Sequence, residues 1–224
     1  MAIQRKDSAP QPDFAHLRAR MVQQFVADRG IRDERILQAM REVPRHLFVP
    51  TLVAAKAYGA GALPIGSKQT ISQPYIVARM IELLDLTGKE KVLEIGTGTG
   101  YQAVVLSKLC AKVFSIERVN ELALRAAELI RTLKIYNASV KVFDGTYGWS
   151  DQAPFDRIIV AAAAPEVPKP LLEQLSRTGK LVIPIGAEGN QRLARVMRIG
   201  TRVQIEDCGT AEFVPLVGKF GWKE

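Results

Sequence analysis

The feature that most constrains this chain is the segment Val92–Tyr101, where a short apolar run leads directly into three glycines at alternate positions. Glycines spaced in this way allow a tight turn and let a ligand lie against the backbone. A helical pattern of apolar residues follows, so the segment predicts a buried strand, a ligand-binding loop and a helix. Tyr101 stands where the dinucleotide-binding pattern G-x-G-x-x-G has its third glycine, which disfavours a nicotinamide cofactor.

The second half of the chain alternates short apolar runs with helical patterns, which is typical of an α/β fold. Seven strands are predicted, at 91–95, 112–116, 139–143, 156–161, 179–185, 192–199 and 202–208. Helices are predicted at 100–109, 120–134 and 168–176, with Asn120 as the N-cap of the second. The first five strands are apolar, as expected of strands buried on both faces, and a short turn at Gly200 makes the last two antiparallel. We therefore predict a doubly wound, mostly parallel seven-stranded sheet.

The chain before the sheet predicts a small N-terminal helical part. Leu17, Met21 and Phe25 recur every four residues and predict a first helix that ends at Gly30. Asp33 is the expected N-cap of a second helix.

A long loop separates these helices from the sheet. Residues 58–73 hold three glycines and show no helical periodicity, and long loops in compact domains are usually functional or disordered. Helix resumes near Pro74, with Ser72 or Gln73 as its N-cap. The expected organisation is a flexible tail at 1–15 and one domain at 16–224, made of a helical and loop part at 16–88 and a sheet core at 89–224.

Composition argues against membrane-spanning, secreted and metal-binding proteins. The 224 residues are 47% hydrophobic, yet no apolar run approaches the ~20 residues that a membrane helix needs. Residues 1–12 lack the apolar core of a secretory signal, so we expect a cytoplasmic protein without a membrane partner. Cys110 and Cys208 lie far apart and predict two reduced thiols. The two histidines, His16 and His46, belong to no ligand cluster, so no metal is expected.

The net charge of +8 keeps nucleic acid among the candidate partners. The basic residues are dispersed, however, and the densest group is Arg192, Arg195, Arg198 and Arg202 within two strand candidates. That spacing is typical of the solvent-facing side of a strand. We therefore expect no nucleic-acid partner.

Acidic residues stand at the ends of three predicted strands, where open α/β sheets bind their ligands. Glu94 precedes the glycine loop, Glu117 follows the second strand and Asp144 follows the third. A carboxylate at Glu117 can accept hydrogen bonds from both hydroxyls of a ribose, and Asp144 can accept one from an adenine amino group. The alternative is that Glu117 and Asp144 only cap turns. No Walker A pattern is present, which disfavours a nucleoside triphosphate.

An acid two residues before a G-x-G-x-G loop resembles the S-adenosylmethionine loop of the seven-stranded, class I methyltransferases. The resemblance implies a Rossmann-like fold and S-adenosyl-L-methionine as the cofactor. The residues that it implies for cofactor binding are Glu94, Gly96, Thr97, Gly98, Gly100, Tyr101, Glu117, Asp144 and Gly145.

Two further segments make the resemblance specific. Gln69–Tyr75 reads QTISQPY and Phe213–Gly218 reads FVPLVG. With them the chain closely resembles the protein-L-isoaspartate O-methyltransferases, from about Arg20 to Gly218. The resemblance implies methyl transfer from S-adenosylmethionine to the free α-carboxylate of isoaspartyl residues in peptides and damaged proteins, which initiates their repair.

The same resemblance implies roles for four residues outside the glycine loop. Ser72 is the expected catalytic residue, whose hydroxyl positions the reacting carboxylate, and its alternative role is the helix N-cap. Thr70 and Ile71 are expected to line the substrate entrance, and Val214 to hold the substrate backbone. We expect a monomer.

Three other functions remain open on the sequence alone. A nucleic-acid methyltransferase fits the basic charge, but Ala161–Pro165 stands where a base-methylating Asn-Pro-Pro-Tyr motif is expected. A nicotinamide dehydrogenase is disfavoured by Tyr101. A binding adaptor without activity is disfavoured by the presence of Ser72, Glu117 and Asp144.

Overall fold

A computed structural model describes residues 13–223, which form a seven-stranded sheet, a separate two-stranded hairpin and six α-helices. The strands are β1 Leu63–Gly66, β2 Gln69–Ile71, β3 Lys91–Ile95, β4 Lys112–Glu117, β5 Ala138–Val142, β6 Phe155–Val160, β7 Leu175–Ile185, β8 Gln191–Ile199 and β9 Arg202–Ala211. The helices are α1 Phe14–Phe25, α2 Glu34–Glu42, α3 Pro74–Leu83, α4 Tyr101–Ser107, α5 Asn120–Thr132 and α6 Lys169–Glu173. Short 3-10 helices lie at Ala27–Arg29, Arg45–Phe48, Thr51–Lys56, Gly145–Tyr147 and Ser150–Gln152.

The large sheet has the order β5-β4-β3-β6-β7-β8-β9. Strands β3 to β7 pair in parallel, whereas β8 and β9 are antiparallel to their neighbours. Because β3 pairs with β4 on one side and β6 on the other, the strand order reverses at β3. Ligands of doubly wound sheets bind beyond the carboxyl ends of the strands at such a reversal. The predicted fold class and the antiparallel last pair are confirmed.

Apolar residues cover both faces of this sheet. Along β3, Val92 belongs to one buried cluster and Leu93 to another, because successive side chains of a strand point to opposite faces. The cluster that holds Val92 continues through α4 into helices α1 to α3. The N-terminal helices therefore share a core with the sheet, which brings the segments that follow them to its carboxyl edge.

The predicted loop at 58–73 is wrong in part, because β1 and β2 form a hairpin there. The turn between them uses Ser67 and Lys68, both with positive φ, at 51° and 56°. Two-residue hairpin turns of this kind usually carry Asn or Gly, so the turn gave no recognisable signal. Strands of four and three residues are also too short to show an alternating pattern.

Helix boundaries differ from the prediction at three places. The helix predicted at 168–176 spans only Lys169–Glu173, because β7 already begins at Leu175. The N-cap of α5 is Val119 rather than Asn120, because Val119 N donates to the Glu117 carboxylate and closes the turn one residue earlier. Helix α1 begins at Phe14, capped by the Asp13 side chain, so residues 13–15 of the predicted tail belong to this helix and its cap. The rest of that tail lies outside the described residues. Asp33 caps α2 as predicted.

Two of the three arginines of β8 form ion pairs with acids of β9. Arg192 pairs with Asp207, and Arg195 pairs with Glu206, each at 2.7 Å. Arg198 donates instead to two backbone carbonyls. Within residues 13–223, no helix is both long and apolar enough to cross a membrane.

Candidate active site

A cavity of about 1200 Å³ opens beyond the carboxyl ends of β3, β4 and β6. Three parts of the chain enclose it. The floor is the glycine loop of residues 96–101 together with Glu117. We call Gln69–Tyr75 the Ser72 wall and Phe213–Leu216 the C-terminal wall.

The glycines of the floor adopt backbone conformations that other residues rarely take. Gly96 and Gly98 have φ of 90° and 53°, and both line the cavity. Gly98 N donates to Glu117 Oε2 at 2.8 Å, and Val119 N donates to Oε1 at 2.9 Å. Each carboxylate oxygen has a second lone pair, so Glu117 can still accept hydrogen bonds from hydroxyl groups in the cavity.

Thr97, Tyr101 and Gly145 also line the cavity, as expected of cofactor-binding residues. Gly145 lies against β3, where a Cβ would stand 2.4 Å from Ile95 Cγ2. Any side chain at this position would therefore collide with the end of the strand.

Three of the residues expected to bind cofactor do not line the cavity. Gly100 packs behind the loop, against Ala126 of α5. Asp144 is engaged by Thr146 and by Lys219 N, at 2.7 and 2.8 Å, so it ties the C-terminal segment to the chain after β5. The third, Glu94, lies inside the sheet. Direct cofactor contacts for these three residues stay a prediction.

Glu94 is a completely buried carboxyl group in β3, the strand that leads into the floor. Ser115 of the neighbouring strand donates to its Oε2, and Oε1 has no partner among the described residues. Desolvation by burial raises the pKa of Glu94 to about 8, and the nearby Glu117 carboxylate acts in the same direction. Glu94 is therefore mainly protonated at neutral pH, which spares the sheet a buried charge.

The Ser72 wall presents a hydroxyl that the fold does not use. Ser72 is half-buried, lines the cavity and makes no hydrogen bond through its hydroxyl to any residue in 13–223. The N-cap of α3 is Gln73, and no side chain caps that helix. Thr70 and Ile71 line the cavity on the same wall. The Ser72 hydroxyl is thus available to a ligand.

The C-terminal wall docks onto the end of β6. Ala163 N donates to Val214 O at 2.8 Å, and Leu216 N donates to Ala163 O at 2.7 Å. Gln191 holds the wall from the other side, because its side-chain amide accepts from Phe213 N at 2.7 Å and donates to Phe213 O at 2.9 Å. Val214 lines the cavity, as predicted for a substrate contact.

Two buried polar residues that shape the walls were not identified from the sequence. Gln191 is one, and Arg45, which donates to Ser72 O at 2.7 Å, is the other. Arg45 follows Pro44 and precedes His46, so the local sequence gave no signal of its burial.

The donor set of the floor fits a methyl donor that bears a ribose. The floor offers the Glu117 carboxylate and a glycine turn, and no lysine or histidine lines the cavity among the described residues, although Arg29, Arg79 and Arg118 do. No cluster of three or more metal-ligating side chains occurs in the same part of the chain. A cavity lined by both a carboxylate and an available hydroxyl can bind a nucleoside through the first and a polar acceptor through the second.

Comparisons with known proteins agree with this geometry. A family model described as protein-L-isoaspartate(D-aspartate) O-methyltransferase (PCMT) matches residues 16–221. Proteins named protein-L-isoaspartate O-methyltransferase from Geobacter metallireducens and Trichlorobacter lovleyi are 50% and 49% identical over 212 residues. These alignments cover 94% of this chain and 98% of each relative.

Solved structures of the same description are similar in fold. A protein-L-isoaspartate O-methyltransferase superposes with a TM-score of 0.82 at 27% identity, covering 91% of this chain and 67% of that one. A Plasmodium falciparum protein provisionally given the same name, in complex with S-adenosyl-L-homocysteine, has a TM-score of 0.74 at 25% identity. That match covers 88% of this chain and 96% of the other.

Proposed function

The chain belongs to the protein-L-isoaspartate(D-aspartate) O-methyltransferase family, and from that premise we propose which of its residues perform the reaction. The activity is S-adenosylmethionine-dependent methylation of isoaspartyl residues in peptides and proteins, a step of protein repair. We assign cofactor binding to the floor and substrate binding to the two walls. The observation that carries the assignment is the Ser72 hydroxyl, which has no hydrogen-bond partner in residues 13–223 and lines the same cavity as the glycine loop.

Glu117 and the glycine loop hold the cofactor in this proposal. Glu117 is fixed by Gly98 N and Val119 N and accepts the ribose hydroxyls with its remaining lone pairs. Gly96 and Gly98 let the backbone approach the ligand closely. When bound, S-adenosylmethionine supplies a methyl group that its positive sulfonium already activates.

Ser72 donates a hydrogen bond to one oxygen of the substrate carboxylate and orients the other oxygen towards the floor. The α-carboxyl group of an isoaspartyl residue is ionised at neutral pH, so the reaction needs no general base. A cavity without histidine among the described residues suits that requirement. Catalysis then comes from alignment and exclusion of water, which supply ~7–11 kcal/mol at best.

Selectivity for isoaspartyl residues comes from gripping the substrate backbone on both sides. The isoaspartyl linkage runs through the side-chain carbon, adds one methylene to the main chain and leaves the α-carboxylate free. Thr70 and Ile71 on one wall and Val214 on the other place that carboxylate beside Ser72. A normal aspartyl carboxylate arrives displaced, and a displacement of about 1 Å costs a factor of ~100 in rate.

The test is transfer of radiolabelled methyl from S-adenosylmethionine to an isoaspartyl peptide and to its aspartyl twin. We expect a methyl ester on the isoaspartyl peptide that mild alkali hydrolyses, and little product on the twin. Comparable methylation of both peptides would falsify the proposed selectivity. Alkali-stable methylation of RNA or DNA would show that the substrate class is wrong.

The proposal includes a monomer that acts on proteins in a reducing compartment and does not use nucleic acid. The cross-strand ion pairs of Arg192 and Arg195 reduce the positive field that a phosphate backbone requires. The free thiols of Cys110 and Cys208 suit the cytoplasm. Light scattering at micromolar concentration tests the monomeric state. Competition between RNA and the peptide substrate at physiological salt tests whether the protein uses nucleic acid.

A further inference from the structure

Arg45 is a completely buried cation that forms no ion pair with any acidic residue among the described residues. It lies in the 3-10 helix Arg45–Phe48, directly after Pro44. Burial lowers the pKa of Arg45, but a guanidinium begins so high that it stays charged at neutral pH. A buried charge is costly unless its hydrogen bonds compensate it, so its contacts indicate what it is for.

Those contacts join three separate segments of the chain. Arg45 Nε donates to Ala57 O at 2.8 Å, and Nη2 donates to Ser72 O at 2.7 Å. The guanidinium also lies 4.7 Å from the ring centre of Tyr101, the last residue of the floor loop. One planar group therefore connects the Ser72 wall to the floor.

The compensation is incomplete. Arg45 Nη1 and the Tyr101 hydroxyl are both buried, and neither reaches a partner with full hydrogen-bond geometry among the described residues. They lie close enough that the Tyr101 hydroxyl favours the charged guanidinium, which partly offsets the lowering of the Arg45 pKa by burial. An unsatisfied buried donor costs about 1–3 kcal/mol, so this arrangement is a poor solution for stability alone. It does fix geometry well, because the planar guanidinium holds the carbonyl oxygens of Ala57 and Ser72 at a set distance from each other.

We propose that Arg45 is a positioning residue, which sets the distance and orientation of Ser72 relative to the cofactor floor. The inference rests on the proposed role of Ser72 in binding the substrate carboxylate. Arg45 itself lies behind the wall and does not line the cavity. It acts on the reaction through the Ser72 carbonyl, and hence through the backbone that carries the Ser72 hydroxyl.

The experiment is a double-mutant cycle of Arg45→Lys and Ser72→Ala, with kcat, KM for an isoaspartyl peptide and the affinity for S-adenosylhomocysteine measured in each protein. Lysine keeps the charge but cannot hold two carbonyl oxygens with a planar fork. We expect Arg45→Lys to lower kcat about 100-fold, as a displacement of about 1 Å at Ser72 does. The affinity for S-adenosylhomocysteine stays within about twofold, because the hydrogen bonds of Arg45 go to Ala57 and Ser72 and none goes to the floor.

The decisive result is the double mutant. If Arg45 acts through Ser72, then Arg45→Lys costs almost nothing in the Ser72→Ala background, so the double mutant stays about 100-fold below the wild type instead of about 10,000-fold. If the kcat losses of the two single mutants multiply in the double mutant, the proposal is overturned. A normal kcat in Arg45→Lys, or a large loss of its affinity for S-adenosylhomocysteine, overturns the proposal as well.

Arg157→Lys is the matched control. Arg157 also donates to backbone carbonyls, those of Leu84, Asp85 and Asp156. Its Nη2 atom lies 3.8 Å from Glu90 Oε1, and Arg157 does not line the cavity. We expect it to lose thermal stability and keep kcat. Arg45→Gln, which is neutral and shorter, is the second variant if the lysine variant does not fold. Failure of both to fold assigns Arg45 to stability and overturns the proposal, whereas an inactive wild type overturns the proposed function instead.

Discussion

The floor and the walls of the cavity are held in place by different kinds of contact. The floor is fixed between adjacent strand ends, as in the two hydrogen bonds that Glu117 accepts from Gly98 and Val119. Each wall is also held by a side chain from a distant segment, Arg45 for the Ser72 wall and Gln191 for the C-terminal wall. Changes in the floor should therefore affect stability first. Changes in the walls should affect turnover and substrate binding while the fold persists.

The largest expected effect concerns the floor. Glu94→Gln keeps the shape of the side chain and removes a carboxyl group whose pKa burial raises to about 8. The folded wild type holds this proton up to about that pH, whereas the unfolded chain releases it near 4.5. The contribution of Glu94 to stability therefore falls as pH rises from about 4.5 to about 8, by at most on the order of 5 kcal/mol.

Denaturant unfolding of both proteins at pH 5 and pH 8 checks this expectation. Glu94→Gln should gain free energy of unfolding relative to the wild type as the pH rises. Glu90→Gln is the control: burial acts to raise the pKa of Glu90, but hydrogen bonds from Thr87 and Gly88 outweigh it and hold the pKa below its usual value. Its loss of stability should be similar at both pH values. If Glu94→Gln instead weakens cofactor binding with no pH-dependent gain, Glu94 contacts the cofactor.

The second effect concerns the Ser72 wall. Ser72→Ala should lower kcat about 100-fold, because one donor to the reacting group is lost. The free energy of unfolding should change by less than about 0.5 kcal/mol, because the hydroxyl has no partner to leave unsatisfied. Initial rates and thermal melts of the same preparations measure both quantities. Normal turnover with a loss of ~1 kcal/mol of stability would mean that the hydroxyl caps a helix instead.

The floor could be predicted from the sequence, because its strand, loop and helix are contiguous and each has a recognisable pattern. The acids Glu117 and Asp144 were found because they follow two predicted strands, although only Glu117 lines the cavity. The walls could not be predicted from periodicity, and Ser72 was identified only through a family resemblance. The walls are held by hydrogen bonds from the side chains of Arg45 and Gln191 to backbone carbonyls 27 and 22 residues away. Every residue has a backbone carbonyl, so the sequence does not show which one is the acceptor.

The third effect concerns the C-terminal wall. Gln191→Met keeps the length of the side chain but removes both hydrogen bonds to Phe213. We expect KM for an isoaspartyl peptide to rise about tenfold, the equivalent of ~1.4 kcal/mol, because the wall loses its fixed position. The value of kcat should change less, since Ser72 is held independently by Arg45.

A second glutamine provides the control for that experiment. Gln174 also clamps the backbone with its amide, since it accepts from Trp149 N and donates to Tyr147 O, but it does not line the cavity. Gln174→Met should lose a similar amount of stability and leave KM unchanged. An equal rise of KM in Gln191→Met and Gln174→Met would mean that the C-terminal wall has no specific role in substrate binding.

The walls also differ in charge. Arg29 lines the cavity beside the Ser72 wall, with its guanidinium 3.9 Å from the ring centre of Tyr75. Glu188 and Glu212 also line the cavity, and Glu212 directly precedes the C-terminal wall. A peptide bound between the walls therefore meets positive charge on one side and negative charge on the other.

The smallest expected effect tests this polarity. Arg29→Gln should raise KM about threefold for peptides with an acidic residue on one side of the isoaspartyl site, since an exposed charge contributes ~0.2–1 kcal/mol. Peptides with the acid on the other side should not respond, so the pair of measurements also gives the direction in which the peptide lies. The difference should vanish at ~1 M salt, where charges more than about 3 Å apart are screened. Arg131→Gln, which alters an exposed arginine that does not line the cavity, is the control, and an equal response from it would mean that net charge acts rather than the wall.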